Sequence, residues 1–252
     1  MLLANLCLAF FILAKEENPT TTQPSAAISL PAAKGYEIGT SVTPAYTATF
    51  KAGSYKYGPA TGVTVTSWEI SDTAGNSATT ASGNLPAVVV AADTHYKVTA
   101  KANFGEGAIP KTNLGNDYAA GQIKAGSTSA TSGEIYGYRN TFYGTVTEKA
   151  VVTSTIVRGL VSKSNKALKN GDSFNITIPV GAVRVIFAYP ATLRDVNSVK
   201  DVNGMGAQVK SAFTQSSLVV AGAGEDAGIE YKVYVTDFAE AVTKANTYAV
   251  QI

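Results

Sequence analysis

The chain reads as an all-β protein made of two tandem β-sandwich domains behind an apolar N-terminal arm and a linker. Three observations predict this. Charged residues make up only 15% of the 252 residues, against roughly 25% in an average soluble domain, and the strong helix formers Glu, Lys, Arg and Leu are sparse. Runs of β-favouring residues recur along the chain, parted by Gly, Pro and Asn turns about every ten residues. Many of these runs alternate with period two, as in Ile229, Tyr231, Val233 and Val235 against Glu230, Lys232, Tyr234 and Thr236.

The first fourteen residues, MLLANLCLAFFILA, are almost wholly apolar. They fall short of the roughly 20 residues that cross a bilayer, so no stable membrane span is expected. No Lys or Arg precedes them to make an ordinary signal-peptide start. Three readings stay open: an assembly arm, a signal segment, or a truncated start. As an arm, Leu3, Phe10, Phe11 and Leu13 are candidate assembly contacts. The following KEENPTTTQPSAA has the composition of an extended linker. Residues 1–25 are therefore assigned to arm and linker.

Residues 26–129 read as the first sandwich. SVTPAYTATF, GVTVTSWEI, NLPAVVVAA, THYKVTAKA and GQIKAG are its strand-like runs, and GSYKYGPATG, DTAGNS and NFGEGAIPKTNLGND its turns. Alternation puts Trp68 and Ile70 on an inward face, with Trp68 as a core anchor, and turns Tyr96, Val98 and Ala100 inward against an outward His95, Lys97, Thr99 and Lys101. THYKVTAKA followed by a long loop resembles the penultimate strand of an immunoglobulin-type sandwich. KAGSTSATSGE, small, polar and without an apolar anchor, reads as the boundary.

Residues 130–252 read as the second sandwich, with strands in IYGYRNTFYGTV, VVTSTIVRGL, SFNITIPV, AVRVIFAYP, SLVVAG, IEYKVYVTDF and TYAVQI. VRVIFAY is nearly continuous in apolar residues, as a central strand covered on both faces should be. Val202 to Phe213 and Asp237 to Ala245 are candidate short helices. The stretch YGYRNTFYGT, taken as one strand, places Tyr136, Tyr138, Asn140 and Phe142 on a core face. Arg139 and Tyr143 then lie on a face open to assembly contacts.

The residues offer little chemistry. With one cysteine, Cys7, there is neither an intrachain disulfide nor a thiolate cage. The single histidine, His95, has no G-x-S-x-G elbow beside it, so no nucleophile triad is expected. DVNSVKDVNG fails the alternate-ligand pattern of an EF-hand at Val199 or Met205 and reads as an Asx-capped turn. Glu225 and Asp226 read as a solvated hairpin tip, since adjacent turn carboxylates do not converge on one bond. No phosphate-cradling glycine loop occurs. The net charge of +2 and the aromatic-free cluster Lys163, Lys166 and Lys169 argue against nucleic acid. Asn175 opens a glycosylation sequon, NIT, relevant only in a eukaryote. The expectation is no catalytic, cofactor-binding or metal-binding residue and no enzyme activity.

Two sets of motifs carry a resemblance. GYRNTFYGT, the run from FNITIPVGAVRVIFAYP to VNGMGAQVKSAF, and IEYKVYV are similar to the C-terminal module of structural proteins of tailed-bacteriophage virions. GSYKYGPATGV, SWEISDTAG and YKVTAKANFGEGAIPKTNLG resemble the Ig-like module preceding it in such proteins. The resemblance implies a non-enzymatic fibre, decoration or baseplate-type component without cofactors. It would be located on the virion and form a homo-oligomer among other virion subunits, with a host surface glycan as a further candidate partner. The alternative is a secreted or surface-anchored Ig-like adhesin, extracellular or at the bacterial cell surface.

Overall fold

The Phe142–Val146, Arg184–Pro190 and Ile229–Asp237 strands pair antiparallel side by side and form the centre of the chain's largest sheet. A computed structural model describes residues 15–60 and 62–252. The expectations placed on Leu3, Phe10, Phe11 and Leu13 lie outside the described residues. The protein is all-β. Among the described residues, helix is confined to Ser154–Arg158 and two 3-10 turns, and no helix is long and apolar enough to cross a membrane.

The chain divides into two units, but not at one point. Among the described residues, the first comprises 15–30, 45–85 and 98–132, and the second 31–44, 86–97 and 133–252, so the chain passes between them five times. The single boundary expected near residue 129 is corrected accordingly. Its physical cause is strand pairing: Gly35–Glu37 lies parallel to Ile135–Tyr138, and His95–Tyr96 lies antiparallel to the same strand. Ser41–Val42 pairs with Val88–Val89, so both excursions find hydrogen-bond partners in the second unit.

In the first unit, Gly126–Thr131, Val98–Phe104, Val65–Asp72 and Ser77–Ala78 form a four-stranded sheet. Ser25–Ser29, Ala45–Lys51 and Ser82–Asn84 form a three-stranded one. Phe50 of the second sheet meets Phe104 of the first at 5.8 Å between ring centroids, and Val63, Tyr55 and Ile123 close the same cluster. The alternation of Tyr96, Val98 and Ala100 inward is observed. Trp68 shares the face of buried Ile70 but is only half-buried, paired with Ala102, so it is not the core anchor expected.

Two low-complexity stretches are more ordered than their composition suggests. The expected boundary is largely a strand, since Gly126–Thr131 pairs residue by residue with Val98–Phe104. In the expected linker, Thr21–Thr22 pairs with Ser54–Tyr55 and Pro19 and Pro24 are buried. Backbone amides need no apolar side chain to pair, so composition alone does not reveal such a strand.

The second unit contains a five-stranded antiparallel sheet in the order Ser162–Lys163, Phe142–Val146, Arg184–Pro190, Ile229–Asp237, Thr214–Val220. A four-stranded sheet of Ser173–Ile178, Asn246–Gln251, Ser198–Asp201 and Ala207–Gln208 covers one of its faces. Val185, Phe187, Tyr189 and Tyr234 pack there against Ile176, Ile178, Val199 and Val250. On the other face, Phe142, Ile186, Ala188 and Val233 pack against Val157 and Leu160. This two-sided burial is why VRVIFAY lacks polar alternation.

Three local expectations are corrected. VVTSTIVRGL forms the helix Ser154–Arg158, not a strand: the Thr153 hydroxyl caps it by accepting from the Ile156 amide. Val202 to Phe213 is a turn, the short strand Ala207–Gln208 and a 3-10 turn at Lys210–Ala212, and Asp237 to Ala245 is not helical. YGYRNTFYGT is two strands, Ile135–Tyr138 and Phe142–Val146, broken at Arg139 to Thr141, and they belong to different sheets.

Candidate interaction site

The break in YGYRNTFYGT positions the most polar part of the second unit. Because the chain leaves one sheet at Tyr138 and enters another at Phe142, the intervening residues turn out of strand alternation. Asn140 and Thr141 become buried, and the Tyr231 hydroxyl donates to the Asn140 carbonyl (2.8 Å). Burial pushes the Tyr231 phenol above its ordinary range, so it remains a neutral donor. Among the described residues, the side-chain oxygens Asn140 Oδ1 and Thr141 Oγ1 find no hydrogen-bond partner in the protein.

Two ion pairs flank this break. The Arg139 guanidinium grips both carboxylate oxygens of Asp226, with Nη2 3.1 Å from Oδ1. The Gly228 amide also donates to Asp226, at 3.0 Å. The Arg139 hydrogen bond is the larger cause holding the Asp226 carboxyl below the usual aspartate range, against the opposing effect of burial. Arg158, at the end of the short helix, donates to Glu37 (2.5 Å) and to the Ala221 carbonyl (2.6 Å), with its guanidinium 5.5 Å from the Phe142 ring centre. Asp226 is thus not the solvated tip expected. Glu225, beside it, is exposed.

A groove of about 720 Å³ opens beside the Arg139–Asp226 pair, with Ile38, Val89 and Val90 among its walls. Ser41, Asp93 and Glu225 add polar groups to a largely apolar lining, and Val89 is exposed on it. Both oxygens of Glu37 and of Asp226 are engaged by an arginine, whereas Asp93 and Glu225, which also line the groove, are exposed.

The other candidate residues are dispersed. Tyr143 is half-buried and packs on Phe174 at 4.6 Å between ring centroids, against the core of the second sandwich. Its ring thus turns toward the interior of the second unit, whereas Arg139 lines the groove. His95 is exposed and lies 2.7 Å from Glu134. Asp201 accepts from the Gly204 amide at 2.8 Å, the Asx turn expected of DVNG. Among the described residues, no group of three or more His, Cys, Asp or Glu side chains is arranged to hold a metal. Sequence reasoning missed Glu37 and Arg158. Their only signal was two charged residues placed within apolar strand-like runs, and their meeting depends on a fold that joins positions 121 residues apart. No protein family, curated protein or solved structure matches the chain.

Proposed function

We propose that the chain is a non-enzymatic structural and interaction protein of a bacteriophage virion, a fibre, decoration or similar appendage component that assembles through its β-sandwich domains. The observation that carries this reading is the groove beside the Arg139–Asp226 pair. Ile38, Val89 and Val90 line it, and the two-point ion pair holds its rim as a fixed surface for contact. The motifs that resemble virion modules support the same class. The neighbours of such a protein are other virion subunits and further copies of itself.

The test is a protein inventory, by mass spectrometry, of particles purified by density gradient from the culture that makes this chain. The expected result is co-purification with the other particle proteins at a fixed ratio. Recovery only from the medium or the cell surface would overturn the reading in favour of an adhesin.

A further inference from the structure

The five-stranded sheet ends in an open edge. Thr214–Val220 pairs along its whole length with Ile229–Asp237, and among the described residues no strand pairs with its other side. Thr214, Gln215, Ser216 and Ser217 are all exposed, and Val219 is 58% exposed. Every second residue of such a strand turns its N–H and C=O outward, a template for another strand.

The other edges are managed differently. Ser162–Lys163 and Ala207–Gln208 are two residues long, and the first carries a lysine. Ser173–Ile178 runs alongside Phe142–Val146, with Phe174 packed at a tilt on Tyr143. In the first unit, Gly126–Thr131 runs alongside Ser25–Ser29. TQSSLVV is seven residues long and contains neither charge nor proline, and although the helix Ser154–Arg158 packs against its Val220 end, Thr214 to Ser217 stay exposed.

We propose that Thr214–Val220 is a self-pairing edge, the surface through which a second copy of this chain adds its own Thr214–Val220 antiparallel across a two-fold axis. The occupant follows from electrostatics and symmetry. Antiparallel self-pairing about Ser217 sets Thr214 opposite Val220, Gln215 opposite Val219 and Ser216 opposite Leu218. No charged residue then faces its like, and the exposed Val219 gains cover from the methylenes of Gln215. The seven residues span about 24 Å of edge, less than a standard interface provides. The pair is therefore weak in dilute solution and strengthened wherever copies are held close together. This inference is independent of the virion reading, because the edge is open whatever particle or surface carries the chain.

The experiment is sedimentation velocity on the full chain from about 1 to 500 µM, a range that brackets a weak self-association. The wild type is expected to shift from monomer to dimer as concentration rises. Ser217→Lys and Ser217→Glu each place like charges opposite one another at the two-fold axis. Each should weaken the dimer at least about tenfold, and an equimolar mixture of the two should restore it. Circular dichroism checks that the variants fold; should Ser217→Lys not fold, Val219→Lys tests the same edge. A wild type that stays monomeric throughout, a charged variant that dimerises like the wild type, or a mixture that fails to recover would each overturn the proposal. Dimerisation driven by the apolar N-terminal segment would appear as the second of these.

Discussion

Arg139 and Asp226, 87 residues apart, form a two-point ion pair in which the arginine occupies both carboxylate oxygens. Both side chains are largely withdrawn from water, 13% and 21% exposed. Asp226 therefore binds a proton less readily in the folded chain than in the unfolded one. Its contribution to stability is fully present above the unfolded value, about pH 4, and is lost as pH falls through the lower folded value. Urea unfolding between pH 2 and pH 7 should show a stability loss on the acid side that is smaller in Asp226→Asn. Arg139→Ala, which strands the carboxylate, should cost about 1–3 kcal/mol at pH 7. An acid profile unchanged in Asp226→Asn would refute the pair's role.

Phe142 is 1% exposed and touches Tyr231 at 6.2 Å between ring centroids. Replacing it with alanine opens a cavity under the helix Ser154–Arg158 and removes the ring beneath Arg158. The expected loss is about 3–5 kcal/mol in chemical denaturation. A denaturation midpoint equal to wild type would show that this side of the sheet is not packed as described.

Tyr234 and Tyr189 carry adjacent buried hydroxyls, 3.2 Å apart. The Val196 amide donates to the Tyr234 hydroxyl at 3.1 Å and is also engaged by the Tyr189 hydroxyl, which itself donates to the Arg194 carbonyl at 3.0 Å. Tyr234→Phe and Tyr189→Phe should each cost about 0.5–1.5 kcal/mol. Thermal unfolding should show both losses, and a variant as stable as the wild type would contradict the network.

Gly137 has no room for a side chain. A Cβ there would overlap the Ala91 carbonyl oxygen and press on Ile38, within the strands that draw residues 31–44 and 86–97 into the second unit. Gly137→Ala should destabilise by about 1–3 kcal/mol and deprotect the amides of Ile135–Tyr138 in hydrogen exchange. Wild-type protection there would mean that the strand accommodates a methyl group.

The class of the fold and the role of its central strand were legible because they are written locally. Arg184–Pro190 is apolar on both faces since both are covered, and Val98–Phe104 alternates since one face is not. The interleaving was not legible. Gly35–Glu37 contains nothing that names Tyr136–Tyr138 as its partner, because backbone pairing is indifferent to side-chain identity. The helix Ser154–Arg158 was hidden by its Val, Ile and Thr residues, whose β preference is overridden by the Thr153 cap and by packing of Val157. At the candidate site, single residues were visible but their partners were not. Arg139 stood out as a charged side chain in an aromatic stretch and was read as an assembly contact, whereas it pairs within the chain. Its partner Asp226 looked like an ordinary turn residue until the break at Asn140 brought the two together.

The threaded course of the chain also sets an order of events during synthesis. The first unit has all its strands once Ser132 has been made, yet by then two segments of the second, residues 31–44 and 86–97, have long since been made. Gly35–Glu37 has to wait about a hundred residues for the strand that it will lie beside. Until then its amides are open to water or to other chains. Ile135–Tyr138, made about halfway along, completes a sheet begun near the start, so these early segments are most exposed to misassociation before it emerges.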